Sequence, residues 1–162
     1  MAHASTLGCE TLLLPGPQLP SEIYDPTQLV RTAQAAALVG ALRRADGVIV
    51  ATPAYHGGLS GLIKNALDFT EDLRSDARVY LEGRAVGCIV CAEGAQAMGS
   101  TLASLRAIVH ALRGWPTPYG ATLMSTNKPF GSADRAADAF AIQACQTVAE
   151  QVVEFARMRR AR

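Results

Sequence analysis

Between Gly47 and Thr70 the chain reads G-V-I-V-A-T-P-A-Y-H-G-G-L-S-G-L-I-K-N-A-L-D-F-T, and no other stretch constrains its fold as tightly. The run Val48 to Ala51 is short, apolar and rich in β-branched residues, and it is entered from Asp46-Gly47. A strand buried on both faces has that composition. Thr52-Pro53 ends the run, because proline removes a backbone donor and restricts the residue before it. Beyond paired glycines, Leu62, Ile63, Ala66, Leu67 and Phe69 recur at helical rather than alternating spacing. The expected order is strand, tight loop, helix. In open α/β sheets, ligands bind against such loops at the carboxyl ends of the strands.

The loop has the chemistry for close contact. Gly57 and Gly58 carry no Cβ, so the backbone can turn sharply and a flat group can approach its amides. Tyr55 and His56 are ring side chains at the loop tip, able to pack on a ligand or donate a hydrogen bond. Ser60 can cap the following helix, whose free N–H groups also favour negative charge nearby. Taken singly, each residue is equally that of a plain strand–helix turn, glycine for the bend and serine for the cap. The whole string points further.

It resembles the signature of the NADPH-dependent FMN reductases, flavodoxin-like flavoproteins that reduce FMN or quinone-like acceptors. That signature, T-P-x-Y-(N/H)-G-x-x-x-G-x-(L/I)-K-N-A-(L/I)-D, is met by Thr52-Pro53-Ala54-Tyr55-His56-Gly57, then Gly61, Ile63 and Lys64-Asn65-Ala66-Leu67-Asp68. The resemblance implies that the loop lies along an isoalloxazine ring, with Thr52, Pro53, Ala54, Tyr55, His56 and Gly57 as FMN contacts. Ala54 stands where many members have Glu, and His56 where many have Asn; neither change removes a backbone contact. The motif helix carries Lys64, Asn65 and Asp68, which by resemblance help pack or position it; in the family this helix also contributes to the dimer interface.

A second unit of the same kind follows. Val86 to Ala92 reads as a strand, Glu93-Gly94-Ala95-Gln96-Ala97-Met98-Gly99-Ser100 as a small-residue loop, and a helix continues through Leu112. Two such units in a parallel sheet open their loops on the same edge. By resemblance, Glu93, Gly94 and Ala95 edge the flavin ring. Glu93 is either a general acid or hydrogen-bond acceptor, or a solvated loop carboxylate.

The remaining chain frames these units. Thr27 to Arg44 is alanine-rich with helical spacing, Thr27 placed to cap it and Arg43-Arg44 suited to its end. Tyr119 to Met124 is expected to be the last strand, and Asp134 to Arg157 an amphipathic closing helix. Residues 1–162 read as a single flavodoxin-like α/β domain, a three-layer sandwich around a parallel sheet. Thr11-Leu12-Leu13-Leu14, stopped by Pro15-Gly16-Pro17, reads as a short strand, the family's second, and Ile23-Tyr24-Asp25-Pro26 matches its "lYDP". The family's first strand and its phosphate-cradling G-S-x-R-x-x-S loop have no counterpart in the sequence. In the flavodoxin order 2-1-3-4-5 that loss leaves a central edge of hydrogen-bonding groups open. Strand two would then shift to pair with strand three, another chain would fill the gap, or the start of the chain is misassigned; the last is the reading preferred from the sequence.

Composition excludes several classes. With 162 residues, 49% of them hydrophobic and 18% charged, the chain is long and apolar enough to bury a core. A net charge of +1 provides no electrostatic footprint for nucleic acid. No apolar run approaches the ~20 residues of a membrane span, and the start, M-A-H-A-S-T-L-G, lacks a signal-peptide pattern. A cytoplasmic chain is expected. Cys88 and Cys91 have CxxC spacing, but residues three apart on a strand point to opposite faces, so a shared metal or a bridge is not expected. No Ser-His-Asp, paired-carboxylate or metal-ligand constellation suggests hydrolysis.

The resemblance therefore implies an NAD(P)H-dependent reductase with FMN and NADPH as cofactors, a flavin, quinone or similar small-molecule acceptor, and a homodimer or homotetramer. No catalytic side chain, metal, nucleic acid or membrane is expected. A non-catalytic, truncated flavodoxin-like binding or assembly domain is the alternative, motivated by the missing phosphate loop.

Overall fold

The computed structural model describes residues 1–131 and 137–161. Its centre is a mainly parallel sheet of β1 (Gly47–Tyr55), β2 (Gly58–Leu59), β3 (Ala85–Ala92), β4 (Trp115–Pro116) and β5 (Ala121–Met124). The order is β2-β1-β3-β4, and β5 lies beyond β4 on the same edge of β3, so β4 and β5 are two pieces of one interrupted strand line. β1 and β3 run parallel from Gly47↔Ala85 to Pro53↔Cys91, while β2 turns back antiparallel on β1. Helices are α1 (Ala2–Thr6), α2 (Ala33–Arg44), α3 (Gly61–Asp68), α4 (Ala95–Ala111) and α5 (Ala139–Arg160).

Each face of the sheet has its own apolar cluster. Val50, Val86, Cys88 and Val90 face one side with Leu38, Val39, Leu67, Leu105 and Val109 from α2, α3 and α4. On the other side Ala121 and Leu123 meet Ala141, Ala144 and Val148 of α5, with Ile49, Ile89 and Cys91 packed beside them. α5 lies so close that a Cβ on Gly47 would come within 2.4 Å of Val152 and one on Gly87 within 2.3 Å of Val148. Only glycine permits that approach. α1 packs on the same helix, through His3 Nε2 and Glu150 Oε1 at 2.8 Å and the Arg157 guanidinium donating to the Leu7 carbonyl. Cys88 and Cys91 point to opposite faces, as strand alternation requires. Burial pushes the Cys88 thiol up to about 11, and it also raises Cys91 and Cys145.

Five sequence expectations need correction. Thr11 to Leu14 is not a strand: no ladder includes it, and Leu12 and Leu13 are exposed while Leu14 packs on the core. A strand is completed only by a neighbour, and none of the described residues pairs with this segment. β1 continues past Thr52 to Tyr55, since proline is tolerated where a strand has a free edge. A two-residue β-hairpin partner, β2, intervenes before α3. Finally, α2 begins at Ala33, capped by Thr32, whose hydroxyl accepts from Ala35 N–H; Thr27 instead closes an Asx turn, donating through N–H and Oγ1 to Asp25 at 2.8 and 2.7 Å. The closing helix runs from Ala139 to Arg160 with Asp138 as its cap. Residues 134–136 of its expected start lie outside the described residues.

Candidate functional site

The ladder that joins β1 to β3 places the two expected loops side by side. Pro53 stands opposite Cys91, so the chain leaves two strands about 4.8 Å apart at the same carboxyl edge. On the β1 side the pairing Ala54↔Leu59 and Tyr55↔Gly58 leaves His56 and Gly57 as the two-residue turn. Both have positive φ, 51° and 84°. That is the type I′ geometry that matches strand twist, and asparagine, histidine and glycine tolerate it best. The hairpin is locked from beneath: Thr52 Oγ1 accepts from Ser60 N–H at 3.1 Å and donates to the Pro53 carbonyl at 2.8 Å. Ser60 in turn accepts from Ile63 N–H at 3.3 Å and caps α3.

Of the residues expected at the site, Pro53, Tyr55, His56, Gly57, Glu93, Gly94 and Ala95 are exposed on this edge, and Ala54 is half-buried. Thr52 is the exception. It is 3% exposed and its hydroxyl is fully engaged inside the turn, so its part is to hold the loop. On the β3 side Gly94 is the N-cap of α4 and no side chain caps that helix. The first-turn amides are therefore free of a side-chain partner. The sequence signal for this is the absence of Ser, Thr, Asp or Asn between the strand and the helix.

The backbone at this edge leaves room for a flat ring. A Cβ built on Gly57, Gly58 or Gly94 meets nothing within 4 Å, so open space lies over all three backbones. Pro53, Tyr55 and His56 lie exposed on the β1 loop and Glu93 to Ala95 on the β3 loop, where α4 begins. A phosphate cradle matching the G-S-x-R-x-x-S motif has no counterpart among the described residues. A cavity of about 200 Å³ lies farther along, at the end of β5, between Met98, Thr122, Asn127 and Asp138; none of the expected site residues lines it. This edge presents backbone amides and exposed ring side chains rather than an acid–base pair.

A sheet of parallel strands between helical layers, with two glycine loops at one carboxyl edge, defines a flavodoxin-like α/β protein. The chain belongs to the NADPH-dependent FMN reductase family, whose sequence profile matches residues 1–129. Solved structures agree on the fold. The flavoenzyme NAD(P)H:(acceptor) oxidoreductase FerB from Paracoccus denitrificans superposes with a TM-score of 0.71 at 19% identity, covering 97% of this chain and 87% of that one. An oxidoreductase from Corynebacterium diphtheriae matches with a TM-score of 0.55 at 25% identity over 79% of this chain and 66% of its own. The NADH:FMN oxidoreductase EMOB matches with a TM-score of 0.54 at 20% identity over 78% of this chain, which spans 60% of that protein.

Proposed function

We propose that the chain is an NAD(P)H-dependent reductase that passes hydride through bound FMN to a flavin, quinone or similar small-molecule acceptor. The observation that supports this best is the pair of loops at one sheet edge, a left-handed His56-Gly57 turn beside the uncapped Gly94 end of α4, both open to a planar ligand. Pro53 to Gly57 would hold one side of the ring and Glu93 to Ala95 the other. FMN, when bound, supplies the hydride-accepting and electron-donating chemistry. Hairpin and helix amides orient the ring and offer dipoles to charge on it, while Tyr55 and His56 exclude water from its face. NADPH is the preferred nucleotide on the family's description. Among the described residues no helix is long and apolar enough to cross a membrane, and the cysteines are free thiols, which supports placing the reaction in the cytoplasm. A homodimer or homotetramer belongs to the same reading.

The test is titration of the purified chain with FMN, following fluorescence quenching. Saturable quenching near micromolar, a binding free energy of roughly 8 kcal/mol, is the expected result. Steady-state oxidation of NADPH and NADH with a quinone acceptor then ranks the nucleotides. Absence of quenching at high protein concentration would overturn the reductase reading and leave a non-catalytic binding domain.

A further inference from the structure

The edge of the sheet opposite the site loops collects arginines. α2 ends in Arg43-Arg44, the segment before β3 carries Arg78 and Arg84, Arg113 follows α4, and Arg159-Arg160 close α5. Their contacts hold these ends together. Arg160 and Arg78 reach the two oxygens of Asp46, Arg43 donates to Asp76 at 2.6 Å, and Arg78 and Arg84 both donate to the Arg43 carbonyl. A Cβ on Gly83 would stand 3.5 Å from Nη2 of Arg159. Arg84 is buried; the other six arginines are exposed or half-exposed, against three carboxylates, Asp46, Asp76 and Glu82. Outside this edge eight lysines and arginines stand against eleven aspartates and glutamates. The net charge of +1 therefore conceals a polarised chain, basic at one end and acidic over the rest.

Apolar groups stand among these charges. Trp115 is 61% exposed, with one ring face on Phe155 at a centroid distance of 5.8 Å, and Met158, one helical turn beyond Phe155, is 55% exposed. Arg113 occupies the left-handed position after α4 at φ 61°, where Gly114 N–H bonds to the Val109 carbonyl and helices usually place glycine. Its guanidinium lies 5.8 Å from the centre of the Tyr80 ring, whose residue is also left-handed at φ 52°.

We propose that this basic edge docks the chain on an anionic lipid surface, its arginines on headgroup phosphates and Trp115 and Met158 among the headgroups. A bilayer surface takes both kinds of group: guanidinium binds phosphate, and an indole with one polar N–H prefers the boundary between water and hydrocarbon. A nucleic acid matches less of this edge. Phe155 already covers one face of the Trp115 ring, and Met158 has no base to read. The polarity suits a plane as well. β3 separates the two sheet edges by about 25 Å, three times the screening length of about 8 Å at physiological salt. The surface then attracts the near edge without repelling the acidic remainder. Docked this way, the loops at the carboxyl edge face the water.

This goes beyond the flavin reading and does not depend on it. The experiment is sedimentation of the purified full chain with vesicles of phosphatidylcholine alone, or of phosphatidylcholine with about 30% phosphatidylserine. Trp115 is the chain's one tryptophan, so its emission reports the contact directly. Co-sedimentation and a blue shift are expected with the anionic vesicles only, and both are lost at about 1 M salt, where the screening length falls to about 3 Å. Arg113→Gly suits its φ of 61°, and Arg159→Gln lies on the surface. Each is expected to weaken binding about fivefold, and the pair roughly twentyfold. No sedimentation with anionic vesicles at low salt overturns the proposal, as does equal sedimentation with neutral ones or a folded double variant that binds like wild type. Tighter binding to a short DNA duplex than to the anionic vesicles also overturns it, in favour of a nucleic-acid surface. Should a variant fail to fold, the wild-type comparison of the two lipid compositions decides. FMN quenching is measured separately, so loss of the flavin reading leaves this result standing.

Discussion

The Tyr24 N–H donates to Oδ1 of Asn65 at 2.8 Å, tying the helix after the site loop to a segment far earlier in the chain. Asn65 Nδ2 returns two bonds, to the carbonyls of Glu22 at 2.9 Å and Pro20 at 3.3 Å. Tyr24 stacks edge-on against Phe69 at 5.2 Å, and the Arg31 guanidinium lies over both rings while gripping Asp72 with two bonds of 2.8 Å. The asparagine of the family motif thus clamps the irregular 20–31 segment onto α3, which starts where the hairpin ends.

Asn65→Leu keeps the volume and removes all three bonds. The expected cost is about 2–4 kcal/mol, since several part-buried groups lose partners together. Urea unfolding measures it. FMN quenching per folded molecule is expected to stay within twofold, because Asn65 does not face the site loops.

Arg84 is 1% exposed and donates only to carbonyls: Ala45 at 2.9 Å, Arg43 at 3.0 Å, Tyr80 at 3.1 Å and Glu82 at 3.4 Å. Burial pushes its pKa down, yet arginine stays charged, and the cation serves as the C-terminal cap of α2. Arg84→Met fills the space and orphans these acceptors, at about 3–5 kcal/mol. Arg84→Lys, which cannot fork to several carbonyls at once, is expected to fall between. Thermal unfolding orders the three; equal stability of Met and wild type would show that the carbonyls find water.

Gly94 has φ −120° and ψ 140°, ordinary extended backbone, and open space above it. Gly94→Thr suits an N-cap, so stability should stay within about 0.5 kcal/mol. The branched side chain would stand where the ring is expected, and FMN affinity should fall by tenfold or more. Gly57, at φ 84°, behaves differently: Gly57→Val adds about 1–2 kcal/mol of strain as well as weakening flavin binding. Calorimetry and quenching separate the two variants.

The Cys88 thiol is raised from 9.0 to about 11 by burial. The folded state thus holds this proton more tightly than the unfolded state. Its contribution is fully present below pH 9 and is lost as pH rises toward 11, up to about 2–3 kcal/mol. A stability profile from pH 7 to 11 should fall over that window, and Cys88→Val should make the fall shallower, the raised Cys91 and Cys145 thiols keeping part of it. In the native protein Cys88 should resist alkylation at pH 8; labelling as fast as an unfolded thiol would contradict its burial.

Much of the fold was legible because its signals are local. The β-branched run at Val48 to Ala51, the helical spacing after Ser60 and the serine cap itself each depend on a few neighbouring residues. Strand alternation alone put Cys88 and Cys91 on opposite faces. Both site loops followed from the same two strand–loop–helix units. Less legible were contacts that join distant residues, such as Asn65 with Tyr24, or Arg84 with the end of α2.

Sequence by itself determined the order of the central units and where their glycine loops fall, because dihedral freedom and periodicity are properties of short windows. Tertiary structure decided whether an extended segment becomes a strand. Thr11 to Leu14 has the composition for one and stays unpaired, while the two residues of β2 pair because the His56-Gly57 turn brings them back. A strand's hydrogen bonds belong half to its neighbour, and no window of sequence contains that neighbour.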